Sequence, residues 1–130
     1  QNVVDLTILG NPDAVQASFK RLNLSLDQDK VRIVNPATSE RYPEYVQTLY
    51  ELRKNKNLSM EMARDLMLDV SYFGTMMVYK GEADGMVSGA AHTTQHTIRP
   101  ALQFVKTKPG IATVSSVFFM CLPNRVSIFG

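Results

Sequence analysis

Cysteine, net charge and long apolar runs are all scarce in this chain. Cys121 is the single cysteine, so no disulfide can close within the chain and nothing points to secretion. Its setting, VFFMCLP, is apolar, which predicts a buried, inert thiol, because a reactive one needs an electropositive and partly exposed environment. The 14 basic and 12 acidic residues leave a formal charge of +2. That is too little for a nucleic-acid surface, which needs clustered basic residues, but it allows a local site for an anionic small molecule. No apolar stretch approaches the roughly 18 residues of a membrane span, and no signal peptide is visible at the start. The expectation is a cytoplasmic protein with neither nucleic acid nor membrane as partner. Neither nucleotide fingerprint, GxGxxG or GxxxxGK[ST], is present. Repeats, low-complexity tracts and internal linkers are missing too, so the 130 residues make one domain or a piece of one. The chain opens on QNVVDLTILG without a methionine and closes on strand-like RVSIFG. Domains rarely start and stop on core strands, so a fragment is expected.

What is present alternates between strand and helix. VVDLTILG (3–10) reads as a strand ending at Gly10. Asn11-Pro12 is an N-cap with proline at the first helical position, opening a short helix to about Arg21 that buries Val15 and Phe19. LNLSLDQDK reads as a loop. VRIV (31–34) is a short strand stopped by Asn35-Pro36. From Pro43 to Lys56 the positions Tyr45, Val46, Leu49, Tyr50 and Leu52 fit helical spacing, with Arg53, Lys54 and Lys56 at the end that favours cations. Ser59 caps a helix running to Lys80-Gly81, with Met60, Ala63, Met67, Val70, Gly74 and Met77 on one face. Its methionines read as core packing. A strand is expected at 84–87 within ADGMVSG and a helix from about Thr94 to Val105. IATVSSVFFM (111–120) and RVSIF read as a hairpin pair. This order predicts an α/β fold, a three-layer αβα sandwich with a mostly parallel sheet and one antiparallel edge.

In open α/β sheets ligands bind beyond the carboxyl ends of the strands, and Ser88-Gly89-Ala90-Ala91-His92-Thr93-Thr94 follows such an end. Small residues admit a close backbone approach, a helix start attracts anions, and Ser88, Thr93 and Thr94 offer hydroxyls. The plainer alternative is that they turn the chain and cap the helix. Arg99 precedes Pro100, which disfavours α geometry there, so the helix either begins after this point or kinks. Its planar fork suits a phosphate; a surface salt bridge is the competing reading. Arg53, at a basic helix end, reads by itself as a solvated cap. His92 and His96 are spaced to share a helical face and could take a metal, but no third ligand is near them in sequence, so no metal site is expected. Asp84 reads as a turn residue.

DGMVSGAAHTTQHTIRPALQFVKTKPG followed by SSVFFMCLP closely resembles the phosphate acetyltransferase (phosphotransacetylase) family. ILGNP, IVNP and LYELRKNKNLS resemble it upstream in the same order, so the likeness covers essentially the whole chain. Gln95 and His96 depart from it, standing where members often carry alanine and a small or acidic residue. The resemblance implies reversible acetyl transfer between CoA and phosphate in a cleft between two α/β domains. It also implies a cytoplasmic homodimer that needs no metal or prosthetic group. CoA, acetyl-CoA, inorganic phosphate and acetyl phosphate are then substrates, and no cofactor is expected. The arginines of the ELRK and T[IL]RP motifs, which serve the family's active site, fall on Arg53 and Arg99. Ser88, Gly89, His92, Thr93 and Thr94 are the expected CoA and phosphate contacts. The family's base for the CoA thiol and its serine–arginine pair lie downstream of this chain. Residues 1–130 are thus expected to be part of a first domain, without its opening part or the second domain, and inactive alone. Alternatives are a phosphate butyryltransferase, an acetyl-CoA-binding regulatory domain as in some malic enzymes, or a non-catalytic α/β domain whose loop binds an anion.

Overall fold

The computed structural model describes residues 4–24 and 30–130. The first strand, β1 (Leu6–Leu9), is followed by helix α1 (Pro12–Arg21) and strand β2 (Val31–Val34). β1 and β2 pair in parallel, from Leu6 opposite Val31 to Leu9 opposite Val34. A parallel pair needs a crossover, and α1 lies in it. The start of α1 follows the Asn-Pro signal: Asn11 Oδ1 accepts from the N–H groups of Asp13 (2.9 Å) and Ala14 (3.2 Å). Asn35-Pro36 repeats the device after β2, where Asn35 caps a 3₁₀ turn at Pro36–Thr38. The α/β class expected from the sequence is the class found. Val15 and Phe19 are only half-buried, and α1 contributes no fully buried residue.

Four further helices follow. They are α2 (Tyr42–Arg53), α3 (Met60–Met67), α4 (Val70–Tyr79) and α5 (Thr94–Pro100). The core is helical: Tyr45, Val46 and Leu49 of α2, Ala63 and Met67 of α3, and Tyr72, Phe73, Met76 and Met77 of α4, with Phe104 beyond α5. Leu9 and Val34, at the carboxyl ends of the two strands, pack against it. The Tyr45 and Phe73 rings lie 4.9 Å apart in a tilted arrangement. Burying a large apolar side chain contributes about 1.5–3 kcal/mol, and the aromatic and aliphatic members of the cluster share in it.

The single helix expected over 59–80 is two. Ser59 caps the first as expected, its Oγ accepting from Met62 N–H at 3.1 Å. Asp69 then leaves helical geometry (φ −75°, ψ 131°) and caps the second. A short carboxylate that can satisfy freed N–H groups competes with helix continuation, and here it prevails. The far end of α4 behaves as read. Gly81 adopts φ +72°, Glu82 N–H reaches Met77 O and Gly81 N–H reaches Val78 O. This paired arrangement closes a helix at a left-handed glycine.

Three expectations fail. Residues 84–87 form no ladder: Val87 is fully exposed, and no neighbouring strand exists for them among the described residues. Of the long apolar run 111–120 only the end is strand, in β3 (Phe118–Leu122), paired antiparallel with β4 (Arg125–Phe129) as a sheet separate from β1–β2 rather than as its edge. Cys121 is exposed, not buried. Its apolar neighbours Phe118, Phe119 and Met120 are themselves exposed, so they give it no shelter.

Met86 ties the extended segment to α4. A Cβ added at Gly74 would lie 2.7 Å from Met86 Sδ and 3.1 Å from Leu9 Cδ1, so the absent side chain lets a helix, a strand end and the segment leading to α5 meet. Gly74→Val is expected to destabilise the protein by about 1–3 kcal/mol through overpacking, measured by equilibrium denaturation. Gly74→Ala should cost less, since alanine also brings about 1 kcal/mol of helix propensity. An unchanged midpoint for the valine variant would contradict the packing described.

Candidate active site

Arg53 is the last residue of α2 and Arg99 the penultimate residue of α5. They are brought together by an irregularity in α5. Pro100 stands inside the helix and is buried. It has no N–H to offer the carbonyl four residues back, and its ring crowds that carbonyl. The backbone neither begins a helix nor breaks one here. It passes through Arg99-Pro100 and widens into a π-helical turn, Ala101–Val105, closed by Lys106 N–H on Ala101 O at 2.8 Å. Such turns often mark functional sites. This one places Gln103 between two helices: its Oε1 accepts from Tyr72 Oη at 2.9 Å and its backbone O accepts from Arg53 Nη1 at 3.3 Å.

The result is a solvent-open hollow of about 390 Å³ with Arg53, Thr94, Gln95, Arg99 and Gln103 around it and Ile98 and Leu102 as apolar walls. A second hollow of about 230 Å³ shares Arg53, Arg99 and Gln103 and adds Lys56, Asn57 and Tyr72, with Leu58, Met62 and Leu66 as its apolar side. No carboxylate lines either hollow among the described residues. Neither Arg53 nor Arg99 has an ion-pair partner among them. Cations left unneutralised around an open hollow draw anions, and two guanidinium forks suit the oxygens of a phosphoryl group.

The structure gathers only some of the residues singled out by sequence. Arg53, Arg99 and Thr94 meet at one hollow. Ser88, Gly89, His92 and Thr93 do not line it. Ser88 Oγ lies 3.3 Å from Thr97 Oγ1, and Gly89 turns the chain at φ +122°. Thr93 caps α5, its Oγ1 accepting from His96 N–H at 3.2 Å. His92 lies just ahead of that cap, so it does not share the helix with His96, yet the two rings stack at 4.7 Å. A carboxylate also stands near them: Asp69 Oδ2 is 2.9 Å from His96 Nε2. The sequence reading missed Gln103, Tyr72, Lys56 and Asp69. Gln103 follows Arg99 by four residues, a spacing that puts side chains on one helical face, and Lys56 belongs to the same basic run as Arg53. The approach of Tyr72 and Asp69 is long-range and left no local mark.

These features define an α/β protein with a cationic, solvent-open hollow between two helix ends. The chain belongs to the phosphate acetyl/butaryl transferase family, whose description matches residues 1–130. It is 56% identical over 128 residues to a phosphate acetyltransferase of Synechocystis, covering 98% of this chain and 18% of the relative. It is 55% identical over 130 residues to a phosphate acetyltransferase of Nitratidesulfovibrio vulgaris, covering 100% of this chain and again 18% of the relative. The EutD phosphotransacetylase from Staphylococcus aureus superposes with a TM-score of 0.80 at 48% identity, over 95% of this chain and 37% of that one. The chain therefore spans less than half the length of the relatives it matches. No helix among the described residues is long and apolar enough to cross a membrane.

The phenol beside the hollow gives a pH signature. Burial raises Tyr72 above its ordinary value of 10.0, against the lowering influence of Arg99 and of the Gln103 hydrogen bond. Tyr45 is also raised, by burial first and then by the Glu82 carboxylate. In the unfolded chain both phenols lose their protons near pH 10. Below that pH both states keep them and the stabilisation is complete; above it the unfolded state ionises first and stability falls. Denaturation midpoints should hold steady up to about pH 10 and then decline. The decline should be shallower in Tyr45→Phe/Tyr72→Phe. An equal slope in wild type and double variant would contradict this account.

Proposed function

We propose that the protein carrying this chain catalyses reversible acetyl transfer between CoA and inorganic phosphate: acetyl-CoA plus phosphate gives acetyl phosphate plus CoA. The observation that carries the proposal is the convergence of Arg53 and Arg99 on one hollow without a neutralising carboxylate, in a chain of this family. In this reading the two guanidinium groups hold phosphoryl oxygens of acetyl phosphate. The CoA thiolate attacks the acetyl carbonyl, a tetrahedral oxyanion forms, and phosphate leaves as the arginines take up its charge. Fixed donors aimed at developing charge lower such a barrier, and holding both reactants in one cleft removes much of the cost of their encounter. Thr94 offers a hydroxyl at the hollow. Ser88, Gly89, His92 and Thr93 act on the chain's path or on CoA outside it. The reading includes a cytoplasmic homodimer, CoA and the phosphates as substrates rather than cofactors, and no turnover by residues 1–130 alone, which carry part of a first domain.

The test is an assay of CoA-dependent acetyl phosphate turnover in the full-length protein, for wild type, Arg53→Ala and Arg99→Ala, with folding checked by circular dichroism. Losing a charge-assisted bond of about 1.5–3 kcal/mol lowers kcat/KM by about 10- to 150-fold. That loss is expected for each variant. Turnover near wild type in both folded variants would remove the arginines from the site. The same assay with butyryl phosphate decides the acyl group, acetyl being the expected preference.

A further inference from the structure

A second constellation gathers where α4 and α5 begin, away from the arginine hollow. Asp69 starts α4, His92 sits ahead of the α5 cap, and His96 is in the first turn of α5. One ligand atom from each lies within 4.8 Å of the others. We propose that Asp69, His92 and His96 form a binding site for a divalent transition-metal ion of the zinc class.

Two imidazoles and a carboxylate are a donor set suited to zinc and its first-row neighbours. Tetrahedral zinc, with bonds of about 2.0–2.2 Å, places its ligand atoms about 3.3 Å apart. Asp69 Oδ2 and His96 Nε2 stand 2.9 Å apart and part slightly to admit the ion. His92 closes the remaining gap. Its ring already lies nearly parallel to that of His96, at 12°, and its residue precedes the helix, where a side-chain rotation disturbs no helical hydrogen bond. The carboxylate is fixed in advance. Its Oδ1 accepts from Ser71 N–H at 2.9 Å and Tyr72 N–H at 3.2 Å, leaving Oδ2 for the ion. Metal ligands are commonly oriented by outer hydrogen bonds of this kind. All three residues are half-buried, so the ion reaches the site from solvent and keeps at least one open position. Bound there, it joins α4, the segment before α5, and α5 itself, one helical turn ahead of Arg99. Its role is to hold that turn in place; no step of the acyl transfer runs through it.

The experiment uses the full-length protein after chelation and dialysis. Zinc chloride is titrated calorimetrically, cobalt chloride is followed by visible absorption, and melting is recorded with and without zinc. Zinc is expected to bind wild type, to raise its melting temperature, and to bind at least ~10–100-fold more weakly in His92→Ala, His96→Gln and Asp69→Asn, the loss that removing even an outer partner of a ligand brings. Cobalt should give ligand-field bands that fade in the same variants. Asparagine still caps a helix, so Asp69→Asn separates the ligand role from the cap. His92→Ala keeps the test open if another variant fails to fold. Equal zinc affinity and melting shift in wild type and His92→Ala, or no zinc response in wild type, would overturn the proposal.

Discussion

The Asp69 carboxylate holds two helices at once. One oxygen satisfies the Ser71 and Tyr72 N–H groups at the start of α4, and the other reaches His96 of α5. A side-chain cap of this kind contributes about 0.5–2 kcal/mol. Here it also sets where α4 begins. That start places Tyr72 beside Gln103, and Gln103 beside Arg53. The position of one cation of the hollow thus passes through three hydrogen-bonding residues to the break between α3 and α4. Arg99 lies one turn past the histidine that Asp69 holds.

The irregular backbone of α5 is the second constraint. A regular helix through Pro100 would meet the missing N–H and the ring clash together. Past the proline the chain widens into the π turn Ala101–Val105, in which Phe104 is buried while Gln103 faces α2 and α4. The Phe104 ring meets Tyr79 edge-on at 5.9 Å, which anchors the widened turn to α4. Packing and the hollow therefore share one stretch of backbone, the π turn after Pro100.

Local chemistry was legible in the sequence. Asn11-Pro12, Ser59 and Lys80-Gly81 each act through groups a few residues away, and each begins or ends a helix where the pattern predicts. The hairpin partners β3 and β4 were readable for the same reason. Burial was less legible, because it depends on what an apolar residue meets. Met86 and Val87 have strand character without a strand to pair with among the described residues, and Cys121 sits among apolar neighbours that are themselves exposed. Of the site, Arg53 and Arg99 were marked by motif resemblance, and Thr94 by its place at a helix start. Asp69 looked like one polar residue in a long helical pattern. Only folding brings it to within 2.9 Å of His96, 27 residues away.

The central claim is that Arg53 and Arg99 act on one anion. A double-mutant cycle on kcat/KM, combining Arg53→Ala and Arg99→Ala in the full-length protein, tests it most directly. Two groups gripping the same phosphoryl should couple by about 0.5–3 kcal/mol, so the double variant loses clearly less or more than the two single losses combined. Strict additivity would contradict the account and assign the two cations to separate tasks.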